Sequence, residues 1–298
     1  MKTMHRILFA DSLFWLSRPI LKLMDIRFER AVVRRKGIRW CLDLRESIDL
    51  SLFFTGTFEP DVTLSYQKIL RPGDRVLDIG ANFGAHTLRF AQAVGPTGHV
   101  VAFEPTRYAL DRLRQNLALN PEFSSQVEVQ FSFLGRTPSA EIPKAVSSSF
   151  RLASFSESEE RNPKDFGFAK STEGAASTTL DLFTAGLPGR PENAMDFVKL
   201  DVDGNETEVI AGASSTLKSL RPVFLVEIAP GHFEDQPERF HSWVSGILSQ
   251  GYRVYDLKFQ SLTAESIALW KGTPLGAYSN VWMVPEEKIW SFTERARS

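Results

Sequence analysis

The chain has 298 residues, 43% hydrophobic, 24% charged and 11% aromatic, which excludes wholesale disorder and fits one long domain or a domain with an appendage. A formal net charge of -1 excludes a surface uniformly positive for nucleic acid, although Met1 to Arg45 holds eleven Lys or Arg against four Asp or Glu. Cys41 stands alone and the five histidines show no i, i+4 pair, so disulfide, redox-pair and zinc-helix chemistry are excluded and the spacing supports no metal site.

Residues 1–30 form a basic segment with helical spacing through Leu8, Leu13, Leu16 and Leu21, and Pro19 is expected to kink or end the helix. Two placements fit it: packing on the body or on a second subunit, and lying on a membrane surface. Charges interrupt its apolar residues, so it does not read as a spanning helix, and it lacks a signal-peptide core. The expected location is the cytoplasm, with the inner membrane surface as the peripheral alternative. Residues 31–60 show short apolar segments around Lys36-Gly37 and Thr55-Gly56, which predict a small β element. A helix is predicted from Asp61 to Leu70.

The rest, 61–298, has a regular rhythm. Strands are predicted at Arg75 to Ile79, His99 to Phe103, Val127 to Phe133, Asp196 to Leu200, Val223 to Glu227 and Tyr252 to Leu257, with helices after most of them, including one from Glu206 to Leu220. Such alternation predicts an α/β fold with a mostly parallel sheet between helices, and ligands bind there at the carboxyl ends of the strands. The serine-rich segment 138–177 reads as an insertion with at most one short strand near Phe150 to Phe155; a lid and a plain surface loop both fit it.

The sharpest motif is Asp78-Ile79-Gly80-Ala81-Asn82-Phe83-Gly84, in which Gly80 and Gly84 are expected to let the backbone approach a ligand. Its G-x-x-x-G spacing is not the dinucleotide fingerprint, and Asp78 would repel a pyrophosphate. A ligand with a cationic amino end and a carboxylate suits it, which describes S-adenosylmethionine. Glu104, twenty residues beyond Gly84 at a strand end, is placed to accept hydrogen bonds from ribose hydroxyls. Lys199 and Asp201 lie two apart at another strand mouth, on one face. A calcium loop starting at Asp201 fails, because Glu206 and Gly212 occupy the positions that need glycine and glutamate. Asn205 with Glu208 is expected to cap the next helix.

These stretches, with Gly56-Thr57-Phe58-Glu59, Phe103-Glu104-Pro105, Asn116-Leu117-Ala118-Leu119-Asn120, Thr178-Thr179-Leu180-Asp181 and Val226-Glu227-Ile228, resemble the FkbM family of S-adenosylmethionine-dependent methyltransferases. The resemblance implies a Rossmann-like class I methyltransferase sheet of seven strands, the last antiparallel near Val281 to Val284, and methyl transfer to a hydroxyl of a sugar, glycan or hydroxylated metabolite. It implies that Asp78, Gly80, Asn82, Gly84 and Glu104 bind the cofactor, with Thr87 and Glu59 near its methionine end. Asp201 is the first choice of general base, with Glu227 and His232 as alternatives, and Lys199 either orients an acceptor oxygen or pairs with Asp201. The family usually has glutamate and alanine where this chain has Asp203 and Asn205. The competing readings are an N-methyltransferase and a cofactor-binding fold without catalysis that serves as an interaction or membrane-surface module.

Overall fold

The computed structural model of the protein describes residues 3–23, 26–152, 167–186, 196–228, 237–263 and 279–297. The chain begins with helix α1 (Thr3–Leu23), which buries Phe14 and Leu21 and leaves Leu16 78% exposed. Pro19 does not end it, because one missing N–H removes a single rung of the ladder. Strands β1 (Ala31–Arg35) and β2 (Ile38–Leu42) then form an antiparallel hairpin about Lys36-Gly37. The expected β element stops there: residues 47–55 are helix α2 (Ser47–Thr55), closed by Gly56 at φ 77°. Its apolar run is too short for periodicity to separate strand from helix, and burial of Leu50, Leu52 and Phe53 against the hairpin decides. Helix α3 (Pro60–Ile69) follows.

The regular part comprises β3 (Arg75–Ile79), α4 (Thr87–Val94), β4 (His99–Phe103), α5 (Arg107–Ala118), β5 (Val127–Gln130) and β6 (Ser132–Leu134). After the insertion strands β7 (Ala145–Ser149), β8 (Phe168–Ser171) and β9 (Ala176–Thr178) come α6 (Leu180–Ala185), β10 (Phe197–Leu200), α7 (Glu206–Ala211) and β11 (Val223–Ile228). Helix α8 (Pro237–Ser249), β12 (Tyr252–Tyr255), β13 (Ser261–Leu262), β14 (Ser279–Pro285) and α9 (Ile289–Arg297) complete it. The main sheet has the order β13-β12-β14-β11-β10-β3-β4-β5. Strands β11, β10, β3, β4 and β5 are parallel, and β14 runs antiparallel between β11 and β12. The seven expected strands are therefore present, and the two-residue β13 adds an eighth at the edge.

Both faces of the sheet are buried, which is why its strands read as apolar runs. Val76, Phe197, Leu225 and Trp282 join one core, while Leu77, Val198, Phe224 and Met283 join the other. Three predicted elements are broken. The stretch Val127 to Phe133 divides, since β6 leaves the main sheet to pair with β9. The helix predicted over Glu206 to Leu220 becomes α7 and a separate π turn at Thr216–Leu220. Among the described residues the insertion holds three short strands, and of the stretch expected near Phe150 to Phe155 the described part, 150–152, is no strand but carries an isolated bridge between Arg151 and Glu46; 153–155 lie outside the described residues. Its strand signal was hidden because serines occupy the buried positions: Ser149 Oγ donates to Glu46 Oε1 at 2.7 Å.

Two asparagines of α5 bind the N-terminal hairpin to this frame. The edge of β2 that β1 does not pair presents Arg39 and Cys41, and the side chains of Asn120 and Asn116 take the place of a neighbouring strand. Asn120 accepts from Arg39 N at 2.9 Å and donates to Arg39 O at 2.7 Å, and Asn116 accepts from Cys41 N at 2.7 Å. Asn116 Nδ2 also donates to Phe83 O, within the glycine turn, at 3.1 Å. The i, i+4 spacing on a helix, about 6 Å, matches alternate residues of a strand at about 6.8 Å. Asn116→Ala leaves the buried Cys41 N–H without its acceptor and is expected to cost about 2 kcal/mol, read as a lower midpoint in urea denaturation.

Candidate active site

The carboxyl ends of β3, β10 and β11 carry the charged residues. Asp78 and Lys199 are register partners in β3 and β10, and the period of two puts both on the face that holds Val76 and Phe197. Lys199 is 1% exposed, and its Nζ meets Asp201 Oδ2 at 2.5 Å. Burial works against the ammonium, but Asp201, Asp78 and Glu59 outweigh it and push the Lys199 pKa up. Burial raises the Asp78 pKa, opposed by Lys199, His86 and the hydrogen bond from Thr87 Oγ1 at 2.6 Å. Lys199 thus pairs with Asp201, and Thr87 orients Asp78.

A Cβ on Gly80 would lie 1.7 Å from the carbonyl oxygen of Asp201, and one on Gly84 would lie 2.5 Å from Leu113 Cδ1. Both glycines make room for the protein's own packing, and Gly80 also lines the cleft described below. At Gly80 the close approach joins the ends of β3 and β10, and Asp201 N donates to Ile79 O at 3.0 Å. Gly80→Ala, at φ 89°, is expected to lose more than about 3 kcal/mol of stability or to fail to fold, measured by soluble yield and denaturation midpoint.

Beside this turn opens a shallow cleft with an enclosed volume of about 60 Å³. Gly80, Asn82, Glu104, Ser148, Asp201 and Asn205 contribute its polar wall, and Phe103, Phe133, Leu134 and Val202 its apolar part. Glu104 is 3% exposed. Its carboxylate accepts from Asn82 N at 3.0 Å, Thr106 N at 2.9 Å and Thr106 Oγ1 at 2.6 Å, so its position is set and its remaining lone pairs face the cleft. Burial raises its pKa against those hydrogen bonds. Asp78 is not a wall of the cleft; it lies behind it, against Lys199 and Thr87. Thr106 and Ser148, linked at 2.9 Å, were missed by sequence reasoning, because a helix-capping threonine and a loop serine look ordinary until the insertion folds over the cleft.

On the far side of Asp201 is an acidic cluster. Glu59, Asp201 and Glu227 each bring a carboxylate oxygen within 4.8 Å of the others. Glu59 has φ 45°, and Asn82 and Asp203 at 48° and 51° make two more non-glycine residues in the left-handed region around the site. Burial, together with Asp201, Glu59 and Asp203, pushes the Glu227 pKa well above the usual carboxylate range. His232 lies outside the described residues.

Helix α7 is capped differently from the prediction. Asn205 makes no side-chain cap; its Nδ2 donates to Leu134 O at 3.0 Å, and Glu208 pairs with Arg136. The buried Glu206 does the work, accepting from Val202 N and Gly204 N, each at 3.1 Å. Burial pushes its pKa from 4.5 up to about 7, so the folded chain takes up a proton that the unfolded chain releases. This group's contribution to stability is full below about 4.5 and is lost as pH rises through about 7. Glu206→Gln is expected to flatten the thermal midpoint across that window.

A doubly wound sheet with its last strand antiparallel, and a cleft at the strand ends in which Glu104 meets a glycine turn, define the Rossmann-like class I methyltransferase fold, whose cofactor is S-adenosylmethionine. The residues fit that group: the apolar wall would take its base and Glu104 its ribose hydroxyls. The model of the family described as "Methyltransferase FkbM domain" matches residues 78–254, more than half of the chain, and the chain belongs to that family. It is 29% identical over 167 residues to an arsenite methyltransferase of Halobacterium salinarum, covering 54% of this chain and 40% of that one. It is 28% identical over 154 residues to the methyltransferase sdnD of Sordaria araneosa, covering 46% and 59%. The chain thus spans about half the length of these curated relatives. A crystal structure of an FkbM methyltransferase from Methylobacillus flagellatus superposes with a TM-score of 0.41 at 15% identity, covering 78% of this chain and 52% of that one.

Proposed function

We propose that the protein transfers the methyl group of S-adenosylmethionine to a hydroxyl oxygen of a sugar, glycan or other hydroxylated metabolite. The observation that supports this reading is the position of Asp201, which lines the cofactor cleft on one side and belongs to the acidic cluster on the other. The bound cofactor supplies a methyl already activated on a sulfonium, so the chain's task is alignment and exclusion of water. Glu104 and Asn82 hold the nucleoside end, and Asp201 faces the acceptor. Lys199 Nζ donates to Asp201 Oδ2, which fixes the orientation of that carboxylate.

The same cluster also supports a second acceptor, a cationic amine, since three carboxylates favour a positive group; the product of methylation distinguishes the two. Glu104→Ala is expected to weaken cofactor binding at least tenfold in calorimetry, and unchanged affinity would remove the cofactor assignment. Asp201→Asn is expected to keep cofactor affinity within about threefold while lowering kcat by about 10²-fold or more, measured with labelled cofactor on a panel of sugars, lipid-linked glycans and hydroxylated metabolites. Full turnover by that variant would exclude Asp201 as the base.

A further inference from the structure

We propose that Glu59, Asp201 and Glu227 form a binding site for a hard divalent cation of the Mg2+, Mn2+ or Ca2+ class, which holds the oxygens of the methyl acceptor; the proposal rests on the methyl-transfer reading of the same site. Two oxygens on one ion lie at most twice the metal–oxygen distance apart, about 4.2 Å for Mg2+ and about 5 Å for Ca2+. The three carboxylates, with oxygens within 4.8 Å of one another, meet the Ca2+ limit as they stand and reach the Mg2+ limit with side-chain shifts of a few tenths of an ångström, without rearrangement of the fold. An all-carboxylate set selects hard cations over zinc or copper.

Two further groups, neither a member of the cluster, point to an ion. His86 is 6% exposed; its Nε2 is buried, makes no hydrogen bond and faces Glu59 Oε2 at 3.7 Å, while its Nδ1 meets Tyr66 Oη at 3.3 Å. The Phe58, Tyr66 and Phe90 rings pack around the imidazole, and its Nε2 faces the cluster at Glu59. Asn280, directly across from Glu227 in the β11–β14 pairing and hence on the same face, also has a buried Oδ1 without a hydrogen bond. An amide oxygen is a ligand for a hard cation, and an imidazole nitrogen next to a ligating carboxylate is an outer partner that fixes it or a metal-bound water.

Charge balance agrees. Lys199 is one ammonium among Asp78, Glu59, Asp201 and Glu227, and a bound sulfonium cofactor adds one net positive charge, which leaves the face negative. A divalent cation offsets that excess. The ligands come from the residue before α3, the end of β11 and the loop after β10, so no local spacing in the chain marks the site.

The test uses the full chain, freed of metal with EDTA and dialysed, and titrated with Mn2+ by electron paramagnetic resonance and with Mg2+ and Ca2+ by calorimetry. One saturable ion with Kd below about 1 mM is expected. Glu59→Gln and Glu227→Gln are each expected to weaken Mn2+ at least tenfold while keeping the wild-type circular-dichroism spectrum and a cooperative thermal transition, which shows that they fold. Glu104→Ala is expected to lose the cofactor and keep Mn2+. Wild-type chain that binds cofactor but no Mn2+ would overturn the cation site and leave the methyltransferase reading intact. Mn2+ binding that survives both glutamine variants would overturn it as well, by placing the ion elsewhere. Mn2+ bound by a chain that takes no cofactor would overturn the reading on which the proposal rests.

Discussion

A buried ammonium holds the centre of this molecule together. Lys199 stands in the middle strand of a sheet whose two faces are apolar, with Asp78 beside it in register and Asp201 on its Nζ. Removal of one partner from such a group leaves an uncompensated charge in low dielectric, a cost of several kcal/mol, so the strand ends must stay in register. The Gly80 turn depends on the same register, because it admits the Asp201 carbonyl where any side chain would stand. Through Asp201 the buried charge reaches both the cofactor cleft and the acidic cluster.

Around that centre the appendages have assigned places. The N-terminal hairpin is tied by Asn116 and Asn120 to α5 and by Asn116 to the glycine turn, so a segment distant in sequence braces the cofactor loop. The hairpin is followed by α2 and then by Glu59, so the same brace sets where that carboxylate arrives. The insertion supplies Ser148 to the cleft and Ser149 to Glu46, which bonds the two added elements to each other over the sheet. The basic excess of residues 1–45 lies outside the acidic strand ends, and no described helix is long and apolar enough to cross a membrane.

Much of the frame was legible in residue order. Parallel strands buried on two sides appear as short apolar runs, and the acidic residues that end them, Asp78, Glu104, Asp201 and Glu227, break those runs visibly. Elements failed where the local pattern was weak: α2 is a nine-residue apolar stretch that suits either structure, and β7 places Ser148 and Ser149 inward, so its periodicity is disguised. Glu206 was passed over in favour of Asn205 because capping rules weigh side chains at the helix start, while the backward reach of a buried glutamate to two N–H groups depends on the loop's curvature.

Residue order alone determined the alternation of strands and helices, the turn with its glycines and the acids at strand ends, because each is a property of neighbours a few positions apart. The partners of those residues were decided only by the folded chain. That Gly80 makes room for the Asp201 carbonyl, that Asn116 replaces a strand, and that Glu59, Asp201 and Glu227 converge all involve residues tens to more than a hundred positions apart. Such contacts are brought about by sheet order and by burial of both faces, and local spacing carries no trace of either.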